Sequence, residues 1–115
     1  MMVGSGARTR LITLSRDGEK IGENEFNEPI YGNPVSFERL ASRLDASDGE
    51  RFAAGQVGSF RMSRFVVLSD PETRAVTPVY RLDHEGASYN IVGVKEVSEG
   101  RHRFIEITSV RDADG

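Results

Sequence analysis

The sequence predicts an all-β domain, a small antiparallel β-barrel or sandwich of five to six strands with one short helix and long loops. Two observations carry this. β-prone segments with alternating apolar residues recur along the chain, and turn signals separate them. Two long β-rich runs, Ser88 to Val97 and Arg103 to Val110, also flank the short loop Ser98-Glu99-Gly100-Arg101, the pattern of a hairpin. Consecutive antiparallel strands must protect their edges, and closing into a barrel or sandwich does so. The 115 residues make one domain, with 1–8 and 112–115 expected as flexible tails. A chain of this size buries roughly two-thirds of its unfolded surface, enough to fold without staples.

Thr9 to Arg16 sets Leu11, Thr13 and Ser15 against Ile12 and Leu14, which predicts the first strand. Asp17 to Asn33 carries four glutamates, three asparagines, three glycines and a proline. It predicts a long polar connection, with Pro29-Ile30-Tyr31 as a short extended island. A connection of such length in a compact domain is usually functional or mobile. Val35 to Leu44 fits two periods: Val35, Phe37 and Ala41 suit a strand, whereas Phe37, Leu40, Ala41 and Leu44 suit a helix. A strand is favoured, because Pro34 precedes it and β elements dominate elsewhere. Ser47-Asp48-Gly49-Glu50 has the form of a capping box and predicts the short helix, Glu50 to Gln56, ending near Gly55 or Gly58. Ser59 to Ser69 predicts a long strand with Phe60, Met62, Val66 and Leu68 on one face. Arg64 interrupts that face, so a bulge or partial exposure is expected there. Asp70-Pro71-Glu72 reads as a turn, Thr77-Pro78 leads into a run from Val79 to Asp83, and His84-Glu85-Gly86-Ala87 reads as a tight turn.

Apolar residues at 37% and charged residues at 29% are lean but globular. The absence of cysteine excludes disulfides, thiolate metal sites and a Cys nucleophile. No apolar run approaches the ~18 residues of a membrane span, and Met1 to Arg10 has no apolar signal core. The chain therefore reads as soluble, cytoplasmic when made, and without a membrane partner. A net charge of −3, from 18 acids and 15 bases, argues against a dedicated nucleic-acid binder but not against a local basic patch.

Candidate chemistry is thin. Asp45, Asp48 and Glu50 could form a carboxylate cluster, yet the capping box already accounts for Ser47 and Glu50. Arg101-His102-Arg103, with Arg8, Arg10, Arg61 and Arg64, could touch phosphates, but a charged hairpin tip is also an ordinary solvated turn. Phe60, Phe65, Tyr80, Tyr89 and Phe104 fall on strands, where aromatics are far more often core than base-stacking platforms. The glycines form no phosphate loop, and G-x-S-x-G and H-E-x-x-H are missing. No catalytic, metal or cofactor site is expected.

The early strand Arg10-Leu11-Ile12-Thr13-Leu14 precedes a polar loop ending in Asn27-Glu28-Pro29-Ile30. With the segments Gly49 to Gln56, Arg64 to Val67, Tyr80 to Val94 and Ile105 to Thr108, this order and spacing resemble the phage head–tail joining family, the head-closure or stopper proteins of long-tailed phages and gene transfer agents. Gly49 to Gln56 (GERFAAGQ) is similar to the family's acidic–aromatic–Ala–x–Gln segment, and Arg64-Phe65-Val66-Val67 to its central strand. Tyr80 to Val94 carries an R-L-x-x-x-G-x-x-Y-x-I-x-x-V pattern, and Ile105-Glu106-Ile107-Thr108 resembles the closing strand. The likeness spans about residues 9 to 111. The family often has a Trp near the second strand, where this chain has Phe37.

The resemblance implies a non-enzymatic virion component. It would form a homo-oligomeric ring, hexameric or dodecameric, on the adaptor or portal side of the capsid. The ring would close the exit channel over packaged DNA and dock a tail terminator or tail tube. Asp45 to Phe60 would project into the channel, making Asp48, Glu50, Arg51, Phe52 and Gln56 the channel-loop residues. The polar connection would contact the adaptor or a neighbouring copy through Glu25, Phe26, Asn27, Ile30 and Tyr31. The rival readings are another connector component, such as a tail terminator, and a small β-barrel that binds nucleic acid directly.

Overall fold

The computed structural model describes residues 9–45 and 60–112. Its elements are β1 (Arg10–Arg16), β2 (Lys20–Glu23), β3 (Pro29–Tyr31), β4 (Val35–Asp45), β5 (Phe60–Leu68), α1 (Pro71–Arg74), β6 (Arg81–His84), β7 (Ala87–Glu99) and β8 (His102–Asp112). Six strands close an antiparallel barrel in the order β1-β4-β5-β8-β7-β6, and β6 pairs back to β1. The remaining pair, β2 and β3, forms a separate two-stranded sheet. The predicted all-β barrel is the observed architecture, with two strands more than its six in the extra sheet.

Alternation along each strand builds the core. Ile12 and Leu14 point inward from β1, while Leu11 points out. The register Leu11↔Leu40, Ile12↔Arg39 and Leu14↔Phe37 resolves the ambiguous segment as a strand. Ala41 is buried beside this ladder, whereas Leu40 and Leu44, half of the competing helical stripe, are exposed. Leu82, Tyr89, Ile91, Ile105 and Ile107 complete the interior with Phe65 and Val67. Phe65 sits edge-on to Tyr89 at 5.5 Å between ring centroids, a favoured aromatic geometry.

The face expected of β5 is not its core face. Ser63, Phe65 and Val67 line the interior, because the register sets Phe65 opposite Ile107 and Val67 opposite Ile105. Met62 and Val66 are buried on the opposite face, and Leu68 is exposed. Of the two alternatives expected at Arg64, partial exposure is the one observed, and no bulge occurs: the ladder to β8 runs unbroken from Phe60 to Leu68. The irregularity lies instead in β7, between Ile91 and Gly93.

Two turns match their residues. Glu85 and Gly86 have φ of 51° and 80°, the pair of positive values that a two-residue hairpin requires, and Gly100 has φ 60° between β7 and β8. The strand expected from Val79 begins only at Arg81.

Asp70-Pro71-Glu72 opens a short helix rather than a bare turn. Asp70 caps α1 by accepting from the amides of Glu72 and Thr73, while Thr73 Oγ1 accepts from the Asp70 amide at 2.8 Å. Arg39 ties this helix to the barrel, donating to Asp70 Oδ2 at 3.0 Å and Glu72 Oε1 at 2.6 Å. The helix expected over Glu50 to Gln56 lies outside the described residues.

Phe65→Ala should cost about 3–5 kcal/mol, because it opens a cavity among fully buried neighbours. Leu40→Ala, on the exposed face, should stay within about 0.5 kcal/mol. Urea unfolding of the two variants checks the inward and outward assignment directly.

Candidate assembly surfaces at the two barrel ends

The residues 17–33 form an arm, not an unstructured connection. β2 and β3 pair as Lys20↔Tyr31, Gly22↔Ile30 and Glu23↔Pro29, so the expected extended island at Pro29–Tyr31 is one strand of a hairpin. The arm is pinched at its root: the Gly32 amide donates to the Glu19 carbonyl at 2.7 Å. A Cβ at Gly18 would collide with the Gly32 carbonyl, so the two chains meet there only because Gly18 has no side chain. At the tip, Asn24 Oδ1 accepts from the amides of Phe26 and Glu28 at 2.8 and 3.0 Å. Asn27 takes the left-handed conformation, φ 62°, that asparagine tolerates well.

This well-formed tip presents apolar groups to solvent. Phe26 is 73% exposed, Ile21 70%, Tyr31 60% and Ile30 41%. An isolated two-stranded hairpin is marginal in water, and one displaying four large apolar side chains gains from docking. Acids surround them. Asp17, Glu19, Glu23, Glu25 and Glu28 face a single lysine, Lys20, which pairs with Glu23 at 3.0 Å. Arg16 reaches Glu19 at 3.5 Å.

An open cleft of about 240 Å³ lies where the arm leaves the barrel. Pro34, Val35 and Val79 give it apolar walls, and Arg16, Arg81 and Asp17 give it charge. Val79 is 76% exposed, an unusual position for a large aliphatic side chain.

The other barrel end is polar. Asp45 Oδ1 accepts from Arg43 Nε and Ser63 Oγ, both at 2.8 Å, and Ser109 Oγ donates to the Ser63 carbonyl at 3.1 Å. Arg43 Nη1 lies 3.3 Å from His84 Nδ1. A guanidinium can only donate, so Nδ1 accepts and the ring proton sits on Nε2. That Nε2 has no hydrogen-bond partner, and the nearest carboxylate oxygen, Glu85 Oε1, is 3.5 Å away. The ring is 1% exposed and packs edge-on to Phe65. Burial pushes the His84 imidazolium below its ordinary range, and Arg43 and Arg10 add to this against Glu85 and Asp45. For Asp45, burial acts upward, but hydrogen bonds from Arg43 and Ser63 hold the carboxyl below its usual value.

The structure sorts the expected site residues. Glu25, Phe26, Asn27, Ile30 and Tyr31 come together on one exposed arm. Asp48, Glu50, Arg51, Phe52 and Gln56 lie outside the described residues, in the stretch that leaves from Asp45 at the polar end. Of the carboxylate cluster, only Asp45 is among the described residues, and it accepts from Arg43 and Ser63. Among the described residues no group of His, Asp and Glu could hold a metal. Of the arginines considered for phosphate contact, Arg8 lies outside the described residues and three others meet carboxylates. Arg10 pairs with Glu85 at 3.1 Å, Arg103 with Glu96 at 2.8 Å, and Arg64 approaches Glu106 at 3.8 Å. Phe65, Tyr80, Tyr89 and Phe104 are buried, so they offer no stacking platform. His84, read as part of a turn, was missed as an interior residue; its two-residue spacing from Leu82 on β6 is the signal that places it inward.

Among solved structures, the chain is similar in fold to one from the virion of a native gene transfer agent (GTA) particle. The two share 19% identity with a TM-score of 0.56, over 90% of this chain and 94% of that one. No protein-family profile and no curated protein matches the chain. A likeness at that identity shows a shared fold.

Two outcomes follow. Because folded His84 resists protonation, its contribution to stability is present above pH ~6.5 and is lost as pH falls below that value. The thermal midpoint should therefore drop between pH 7.5 and 5, and His84→Gln should reduce the drop; Asp45 and Asp70 act only at lower pH. Separately, Gly18→Ala should expose the Gly32 amide to hydrogen exchange while leaving the barrel's thermal transition in place.

Proposed function

We propose that this chain is a structural virion-type protein that forms a ring at the head–tail connector, closes the DNA exit channel of the filled capsid and docks the tail. The observation that carries this reading is the fold shared almost end to end with a chain of a gene transfer agent virion. The resemblance of residues 9 to 111 to the head-closure family supports the finer role. The surface supports it too: a barrel with an exposed acidic, apolar arm at one end has the form of a subunit that meets other proteins. Its net charge of −3 suits a channel that must pass a polyanion without holding it, since each phosphate–cation contact adds salt-dependent affinity.

In this reading the residues 45–60 contribute the channel side, with Asp48, Glu50, Arg51, Phe52 and Gln56 as the contacts to the closed pore. Glu25, Phe26, Asn27, Ile30 and Tyr31 contact the adaptor or a neighbouring copy. Ring contacts are heterologous, one patch of a copy meeting a different patch of the next. The pairing of three of the candidate arginines with carboxylates and the burial of the aromatics weigh against direct nucleic-acid binding by the free chain.

Particles from a strain lacking the gene test the proposal by negative-stain microscopy and nuclease protection. Tailless heads with leaking or nuclease-sensitive DNA are the expected result. Normal tailed particles with protected DNA would overturn it, and tails of uncontrolled length on sealed heads would assign the chain to tail termination instead.

A further inference from the structure

The arm and the cleft at its root are complementary. The tip offers a phenylalanine flanked by Glu25 and Glu28, neither of which forms an ion pair among the described residues. The cleft mixes Pro34, Val35 and Val79 with serine and charged side chains, Arg16 and Arg81 among them. Arg81 likewise has no ion-pair partner among the described residues. A cavity of roughly 150 Å³ already accepts benzene, so a cleft of about 240 Å³ has room for a phenyl ring. Asp17 also lines the cleft and Glu19 reaches Arg16 at 3.5 Å, so Arg81 rather than Arg16 is open to a new carboxylate.

The tip cannot fill the cleft of its own chain. The paired strands hold Phe26 roughly 20 Å out from the root, at the rise of extended chain. Donor and acceptor patches are therefore different surfaces of one molecule, separated by a stiff spacer. That is the arrangement of a heterologous contact, which propagates from copy to copy and closes into a ring where the rotation allows.

We infer that the arm of each copy docks in a second copy of this chain, with Phe26 seated between Val35 and Val79 and Glu25 and Glu28 facing Arg81. The inference rests on the ring reading above and names the contact that would build the ring. Such docking covers Phe26 and Val79 together, and it brings Glu25 and Glu28, which form no ion pair among the described residues, to Arg81, which forms none there either. Charge pairs at interfaces set partner choice and register.

The test uses whole particles assembled from an equal mixture of isotopically light and heavy copies carrying Phe26→p-benzoylphenylalanine. After irradiation, digestion and mass spectrometry should find the probe joined to the peptide containing Val79 and Arg81 in mixed light–heavy pairs. Adducts to another protein, to a different surface of this chain, or no adduct at all would overturn the docking. Electron cryomicroscopy of the same particles reads the ring separately, so a ring with the wrong adduct sinks this contact and leaves the function intact. Arg81→Glu should lower incorporation into particles about tenfold, the scale of a close interfacial charge pair, and Glu25→Arg with Glu28→Arg should restore it. Failure of that exchange to restore incorporation, with Arg81→Glu still folded by circular dichroism, would count against the pairing of Arg81 with the arm.

Discussion

Closure between β1 and β6 is the constraint on which the rest depends. The seam is short: Thr13↔Asp83, Leu14↔Leu82 and Ser15↔Arg81 join the first and last strands of the barrel order. Leu14 and Leu82 face each other across it with no exposed surface, so the seam is a buried contact as well as a ladder. Without it the sheet would have two open edges, each a template for unwanted pairing. With it, the six strands form a closed ladder, and β7 runs well past its β6 partner, pairing with it only from Ala87 to Asn90.

At one end of the barrel Arg43, Asp45, Ser63 and His84 join in one hydrogen-bonded cluster that leaves His84 Nε2 without a partner among the described residues, and the chain departs from Asp45 toward the stretch before β5. At the other, Arg39 bonds to Asp70 and Glu72 and holds α1 against the barrel. β4 joins the two ends in a single strand of 11 residues, roughly 35 Å of extended chain. The barrel thus carries distinct chemistry at its two ends.

The arm is the least self-sufficient part. Its ladder is short, its apolar side chains are turned outward, and it is stabilised internally by the Asn24 turn and the Gly18–Gly32 crossing. Order in so small a hairpin without its own core is a device for presenting a side chain. The nearby cleft has the opposite deficit, with Val79 uncovered and Arg81 without an ion-pair partner among the described residues.

Much of the fold was legible in the chain. Alternation of Ile12 and Leu14 against Leu11 set the inward face of β1, and Gly86 and Gly100 marked turns that require positive φ. The absence of cysteine and of catalytic motifs limited the chemistry, because those functions need particular atoms. Other features were decided only in three dimensions. Which face of β5 points inward depends on its register with Ile105 and Ile107, not on its own apolar count. Asp70-Pro71-Glu72 opened a helix through the local cap of Asp70 and Thr73, but only the fold brought Arg39, distant in sequence, beside its first turn to tie it to the barrel. The residues 17–33 became an arm because strand pairing and the Gly18–Gly32 approach join positions that look like separate polar loop residues. A single sequence determines local periodicity, turn chemistry and which atoms are present. Closure, register and the meeting of distant charges arise from long-range contacts, and these decided where the arm, the cleft and the buried histidine stand.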